Sequence, residues 1–305
     1  MLFPELAHKK IFLTGGTGFF GCSLLDEIAG GKYREYRFVM LSRRAKEFEK
    51  FHSEYGALPN VEFLSADVRE LAQCNETFDY IIHAATPSVD VPDDVELHDI
   101  IVNGTQKVLE FARKCGAKKL LYVSSGGVYG KGTAPFKENS HCHPETVYGK
   151  AKLEAEKMVL SSGIPAVIMR GFAFAGKHLR RDAHFAFGNF IADAIAGRDI
   201  IIKGDGTPLR SHMHSSDLAR WMMSMLLYGR AGEIYNCGSN EAISIKDLAE
   251  KVNAVLNPSG KISVLTPFVP GTEVSCYVPD ISKAENELEL RLTVDIENSI
   301  KLSVG

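Results

Sequence analysis

Tyr148 and Lys152 stand four residues apart in a run from Thr146 to Ser162, where Val147, Leu153, Met158 and Leu160 fall between charged positions. On a helix this spacing puts both side chains on one face, one turn apart. A phenol titrates at pH about 10, and a neighbouring cation favours its ionised form. A tyrosine so placed can pass a proton to or from a carbonyl or hydroxyl oxygen. The same spacing also suits two ordinary residues on a solvated helix, so the pair gains meaning only from its company.

Residues 11–21 read Ile-Phe-Leu-Thr-Gly-Gly-Thr-Gly-Phe-Phe-Gly, an apolar strand followed by a helical pattern. In that setting Gly15, Gly18 and Gly21 turn the chain, admit a pyrophosphate to the backbone and let helix pack on strand. Thr17 and Phe19 belong to the same turn. The end of the second strand decides which dinucleotide is held, because NAD sites carry a carboxylate there for the ribose 2′-hydroxyl. Here the residues are Ser42, Arg43 and Arg44. Paired, charge-assisted hydrogen bonds from arginine suit a 2′-phosphate, so NADP is expected, with NAD as the alternative. The bland reading of the arginines is a basic surface turn. Asp67 and Val68 follow the third strand, where the carboxylate either touches adenine or caps a helix. His83, Ala84 and Ala85 end the fourth strand, and small residues there let a cofactor lie close to the backbone. His83, on an apolar strand, reads as a satisfied core residue.

The elements that must position these residues are legible as a rhythm. β-rich runs at Lys10–Thr14, Phe38–Leu41, Val61–Leu64, Tyr80–His83 and Leu120–Ser124 alternate with helical patterns at Phe19–Ile28, Ala45–Tyr55 and Ile100–Lys114. Such alternation predicts an α/β fold, a Rossmann-type doubly wound parallel sheet. After about residue 170 the rhythm breaks into glycine-rich turns, with helices at Ser215–Tyr228 and Ile245–Leu256. The expectation is a dinucleotide-binding domain over 1–170, which elements near 210–240 rejoin, and a smaller mixed α/β substrate-binding lobe over 171–305.

Composition narrows the classes. The 305 residues are 45% hydrophobic and 24% charged with a net charge of −3, which argues against nucleic acid or an acidic membrane surface as partner. No apolar run is long enough to span a membrane. Six scattered cysteines without a C-x-x-C spacing suggest reduced thiols in the cytoplasm. His141-Cys142-His143 lacks a second ligand pair, so no metal is expected.

The fifth strand ends in Val123-Ser124-Ser125-Gly126-Gly127-Val128-Tyr129-Gly130. With Thr14-Gly15-x-x-Gly18-x-x-Gly21, the His-Ala-Ala run and Tyr148-x-x-x-Lys152, the chain resembles the extended short-chain dehydrogenases/reductases, the nucleotide-sugar epimerases, dehydratases and reductases. The likeness covers nearly the whole chain. It implies that Tyr148 is the acid/base, that Lys152 tunes it and holds the nicotinamide ribose, and that Ser125 binds the reacting oxygen. It implies that Asn103 supports the lysine, and that Asn189 and Arg210 hold a substrate diphosphate. Thr86, Gly126, Phe172 and His184 stand where a sugar is approached, although Phe172 and Phe174 also fit a strand core. A homodimer is expected from the same resemblance.

Gly126 and Gly127 are the informative departure. Relatives that eliminate water carry a carboxyl pair there, decarboxylases keep a glutamate at the second position, and a related epimerase-reductase uses a cysteine. Glycines move no proton. The resemblance therefore implies a nucleotide-diphosphate sugar reduced at C4 by NADPH, as a 4-keto-6-deoxyhexose. A 4-epimerase with tightly bound cofactor is the alternative, and a silent dinucleotide sensor a third.

Overall fold

Each β-rich run of the first half becomes a strand bounded near the ends of its apolar residues. The computed structural model describes residues 9–73, 76–87, 93–182 and 185–304. Its first elements are β1 (Lys10–Thr14), α1 (Phe19–Ala29), β2 (Arg37–Ser42), α2 (Ala45–Phe51), the single turn α3 (Ser53–Gly56) and β3 (Val61–Ser65). Next come β4 (Tyr80–His83), α4 (Asp94–Lys114), β5 (Lys119–Ser125), α5 (Val147–Ser161) and β6 (Ala166–Gly171). The helix expected over Ala45–Tyr55 is interrupted at His52, whose φ of −123° and ψ of 63° are not helical. α4 begins six residues before the expected Ile100. The Asp93 carboxylate accepts from the Glu96 N–H at 2.8 Å and starts the helix ahead of its apolar period.

The remaining elements are shorter: β7 (Phe174–Ala175), α6 (Ala186–Ile195), β8 (Ile200–Ile202), β9 (Leu209–Arg210), β10 (Met213–His214) and α7 (Ser215–Tyr228). They continue with β11 (Ile234–Cys237), β12 (Ile243–Ser244), α8 (Ile245–Leu256), β13 (Ile262–Val264), β14 (Cys276–Tyr277), α9 (Ser282–Glu287) and α10 (Ile296–Leu302).

Seven strands form one sheet in the order β11-β6-β5-β4-β1-β2-β3. The neighbours from β3 to β6 all pair parallel, with Thr14 opposite Leu41 on one side and His83 on the other. Ile11, Phe12 and Leu13 have no exposed surface, as expected of a parallel sheet covered on both faces. The chain runs outward from β1 to β3, then resumes on the other side of β1. The carboxyl ends of β1 and β4 thus flank the switch point where such sheets bind ligands.

Two compact units result. The first comprises Met1–Lys131, His141–Gly171 and Ala219–Tyr235, and the second Gly132–Ser140, Phe172–Leu218 and Asn236–Gly305. The short stretch 132–140 joins the second unit because Phe136 is strand-paired there. Its N–H donates to the Val278 carbonyl at 2.9 Å, and its own carbonyl accepts from Asp280 at 2.7 Å. The first unit buries Phe12, Ile81, Val108, Leu120, Tyr122 and Ile168 in one cluster, and the second buries Phe187, Phe190, Ile200, Leu248, Val252 and Ile300 in another.

Candidate active site

The turn after β1 is a cradle that side chains would fill. Gly15 has φ of +78°, and a β-carbon on it would stand 2.9 Å from the Ala84 carbonyl and the Ala85 nitrogen. The N–H groups of Gly15 and Gly16 donate to the Leu41 carbonyl at 2.8 and 2.9 Å. Gly16, which sequence reading passed over, is equally constrained: its β-carbon would lie 2.6 Å from that of Met40. At Gly21 the obstacle is the Gly16 carbonyl oxygen, 2.2 Å from the missing carbon. α1 starts at Phe19 on Gly18, with no side-chain cap and no acidic residue in its first turn. Unshielded N–H groups and the helix dipole there favour an anion, so the residues fit a dinucleotide pyrophosphate.

At the neighbouring strand ends, the Thr17 hydroxyl donates to Ser42 Oγ at 2.7 Å. Arg43 and Arg44 are exposed. Ser42 pairs with Ser65 across β2 and β3, so Arg43 and the Ala66–Asp67 pair leave adjacent strands together. The Asp67 carboxylate is engaged by Arg69, whose Nε reaches Oδ1 at 2.9 Å and Nη2 reaches Oδ2 at 3.0 Å. The Arg69 backbone N–H adds a third bond to Oδ1 at 2.9 Å. Arg69 Nη1 also donates to Asp99 on α4 at 2.9 Å. Hydrogen bonds from Arg69 hold the Asp67 carboxyl below its ordinary range, and the charge of Arg43 pushes the same way. Asp67 is therefore a local cap locked into an ion pair. Val68, beside it, is core, and Gly104 on α4 leaves room for its methyl.

His83 is buried and fully bonded. The Thr14 hydroxyl donates to Nδ1 at 2.7 Å, and Nε2–H donates to Thr105 Oγ1 at 3.1 Å. The tautomer follows from the ends of the chain, since Thr105 gives its proton to the Ile101 carbonyl at 2.6 Å. Thr14 Oγ1 accepts from the Ala85 N–H at 3.2 Å. Burial lowers the His83 pKa to about 3, so the ring is neutral. This network pins Ala84 and Ala85 against the glycine turn.

Ser125, Tyr148 and Lys152 converge where β5 ends and α5 begins. The Thr146 hydroxyl caps α5 by accepting from the Gly149 N–H at 3.1 Å, which fixes Tyr148 and Lys152 on the inward face. Ser125 Oγ accepts from the Gly127 N–H at 3.0 Å and hydrogen-bonds the Tyr148 phenol. Lys152 is buried; its Nζ donates to Thr86 Oγ1 at 2.6 Å and to the Val123 carbonyl at 2.8 Å. The ammonium lies 5.0 Å from the Tyr122 ring centre and 5.9 Å from that of Tyr148. Burial lowers the Lys152 pKa to about 7, against the opposing pull of Glu156. Burial also raises the Tyr148 pKa, and the bond to Ser125 offsets part of that rise. The expectation of a phenol already acidified by its lysine is thus corrected: desolvation dominates, and the ammonium is engaged by Thr86 and Val123.

Gly126 and Gly127 open a short 3-10 turn. A β-carbon on Gly127 would lie 3.3 Å from Ser125 Oγ and 3.8 Å from the Tyr148 ring, so a side chain at 127 would stand beside the pair. Behind them lies a buried ion pair that sequence reading missed. Arg170 donates to Glu156 at 3.0 and 2.7 Å, and Ser124 Oγ donates to the same carboxylate at 2.5 Å. The signal for it was Glu156, one helical turn beyond Lys152. Asn103 corrects another expectation. It is exposed on α4, and the helix residue that reaches the site's hydrogen-bond chain is Thr105.

In the second unit, Arg210 is half-buried, and Nη1 donates to the Leu209 carbonyl at 2.7 Å and to the Ser275 carbonyl at 3.3 Å. No carboxylate pairs with it among the described residues, and burial lowers its pKa. Asn189 is half-buried on α6, where Gly188 packs so tightly that a β-carbon would meet the Arg180 carbonyl oxygen at 2.2 Å. Phe172 and Phe174 are core residues, 8% and 9% exposed, and Phe172 packs on Tyr277 at 4.7 Å. Phe172 is therefore removed from the sugar contacts, because its ring is spent on packing. His184 lies outside the described residues.

A glycine cradle, an uncapped helix start and a Ser/Tyr/Lys trio at one sheet edge agree with the comparisons. The sequence model of the NAD dependent epimerase/dehydratase family matches residues 11–238. The chain belongs to this family. It is similar to a UDP-N-acetyl-alpha-D-glucosaminuronate decarboxylase of Bacillus cytotoxicus, 27% identical with 97% of each chain covered. A putative UDP-glucose 4-epimerase of Methanocaldococcus jannaschii is 28% identical, again over 97% of each. Among solved structures, a UDP-glucuronic acid 4-epimerase of Bacillus cereus in complex with UDP-glucuronic acid and NAD superposes with a TM-score of 0.84, at 25% identity over 96% of this chain and 97% of that one. No helix among the described residues is long and apolar enough to cross a membrane.

Proposed function

We propose that the protein is an NADPH-dependent reductase acting at C4 of a nucleotide-linked 4-keto-6-deoxyhexose. The observation that carries this reading is the bare backbone at Gly127, where any side chain would stand beside Ser125 and Tyr148. Elimination of water and decarboxylation, as the motif comparison implies, use a carboxylate at that place. Epimerisation beside a carbonyl needs a further proton carrier as well. With glycine there, the reading assigns proton handling to the Ser125 hydroxyl, the Tyr148 phenol and the Lys152 ammonium.

A nicotinamide cofactor held at the glycine turn would supply the hydride. Tyr148, whose raised pKa keeps it a phenol at neutral pH, donates the proton that the carbonyl oxygen gains, and Ser125 holds that oxygen in line. In this reading Lys152 replenishes the phenol's proton and binds a ribose hydroxyl. Arg210, half-buried without a carboxylate partner among the described residues, supports the diphosphate part of the reading, with Asn189 beside it in role. The preference for NADPH rests on Ser42 and Arg43 where a carboxylate would otherwise bind the 2′-hydroxyl.

A second reading is a nucleotide-sugar 4-epimerase, which the likeness to the two epimerases favours; the same trio would serve oxidation and re-reduction of one carbon. A dinucleotide sensor without turnover is the least favoured, because the trio is intact. The purified protein is incubated with NADPH and a panel of nucleotide-linked 4-keto-6-deoxyhexoses while absorbance of the reduced nicotinamide is followed. Stoichiometric loss is expected. No loss with any keto sugar, together with interconversion of 4-hydroxy epimers, would make the protein an epimerase. Silence in both assays despite cofactor binding would make it a sensor. Arg43→Ala is expected to weaken NADPH by roughly tenfold while sparing NADH; equal losses would reduce Arg43 to a surface residue.

A further inference from the structure

The edge formed by β2, β3 and the start of α4 carries two carboxylates, Asp67 and Asp99, close to where a 2′-phosphate is expected. Left alone, this pair would oppose a phosphate and compete for Arg43. The register of β2 and β3 sets Arg43 and Asp67 on adjacent strand ends, Ser42 lying opposite Ser65 and its carbonyl accepting from the Ala66 N–H at 3.3 Å. Arg69 answers both carboxylates with one guanidinium. Two of its nitrogens take both oxygens of Asp67 at 2.9 and 3.0 Å, and a third takes Asp99 at 2.9 Å. The backbone N–H of Arg69 closes the turn on the same carboxylate at 2.9 Å, so the fork is held in place by the chain itself.

We infer that Arg69 is a specificity-determining positioning residue: by occupying Asp67 and Asp99 it leaves the charge of Arg43 free for the 2′-phosphate of NADPH. This rests on the NADP reading above. Arg69 does not contact the phosphate; it acts through Asp67. A lysine cannot substitute fully, because an ammonium lacks the planar fork that spans two carboxylates.

Dissociation constants for NADPH and NADH are measured by titration for the wild type, Arg69→Gln, Arg69→Lys and the double variant Arg69→Gln/Asp67→Asn. The wild type is expected to favour NADPH. Arg69→Gln frees Asp67 to face Arg43 and the phosphate, and its NADPH affinity falls by roughly tenfold with NADH within about twofold. Arg69→Lys shows a smaller loss in the same direction, and its milder change keeps the test open if the glutamine variant folds poorly. The double variant, with no free carboxylate at 67, regains most of the preference, which a merely structural role for Arg69 would not produce. Equal losses for both cofactors, or no rescue by Asp67→Asn, would overturn the inference. A wild type with no preference for NADPH would overturn the reading of Arg43 as well, whereas a wild-type preference untouched in Arg69→Gln would overturn Arg69 alone.

Discussion

A phenol, a hydroxyl and an ammonium do different work although they share one site. Tyr148 is desolvated, which keeps its proton in place until an oxygen needs it, while the bond to Ser125 pulls the other way and eases its release. Replacing it with phenylalanine removes the proton donor and little else. Tyr148→Phe is expected to lower turnover at least a hundredfold, as for loss of a general acid, with NADPH affinity within about twofold. Retained turnover in a steady-state assay would remove Tyr148 from its role. The trio was legible because hydroxyl and amine chemistry leaves a spacing in the chain. Its engagement was not legible: that Thr86 and Val123 take the Lys152 protons depends on β4 and β5 being neighbours, and no local pattern announces that. Asn103 shows the limit from the other side: Thr105 lies two residues further on, about 200° around the helix, so one side chain faces solvent and the other the hydrogen-bond chain.

At the scale of elements, the site is held by two buried polar devices. The first is the chain Ala85, Thr14, His83, Thr105, Ile101, which ties β1, β4 and α4 together. His83 in the fold resists protonation down to about pH 3, whereas an unfolded histidine titrates at about 6.5. Between those values the unfolded chain binds the extra proton, so stability falls as pH drops through the window. The slope approaches about 1.4 kcal/mol per pH unit. Urea unfolding at pH 6.5 and 5 is expected to show this fall, and His83→Gln to flatten it; an unchanged slope would place the acid sensitivity elsewhere. The second device is the Arg170–Glu156–Ser124 cluster joining β6, α5 and β5. Glu156→Ala takes the carboxylate from the buried Arg170 guanidinium and is expected to cost about 3 kcal/mol, while replacing both charges by Leu and Met recovers most of it. Thermal melts of the wild type and the two variants check this. The first five strands and most helices were readable from their patterns, whereas β6 and the short strands after it were not. Nor were these clasps, because the partners that join different elements lie 14 to 71 residues apart.

For the molecule as a whole, the doubly wound sheet was readable because alternating strands and helices permit few topologies. The membership of 132–140 in the second unit was not, since one backbone pairing at Phe136 decides it. α4 and α5 pack on each other and expose Val95 and Leu160, 79% and 42% accessible. We propose that this face pairs two copies of the chain. Sedimentation equilibrium should return twice the chain mass, and Leu160→Lys should shift the protein toward monomer. A wild type that sediments as a monomer at micromolar concentration would end the proposal.

The absent side chain at position 127 also bears on how such a protein changes over generations. Glycine and glutamate codons differ at a single base, so an inherited carboxylate beside Ser125 and Tyr148 is one substitution away. The space for it borders the pair, with nearest atoms at 3.3 and 3.8 Å from the new carbon. On the proposed reading, a lineage carrying this chain therefore sits next door to a different reaction, reached once the Ser125 hydroxyl, 3.3 Å from the new carbon, gives way slightly.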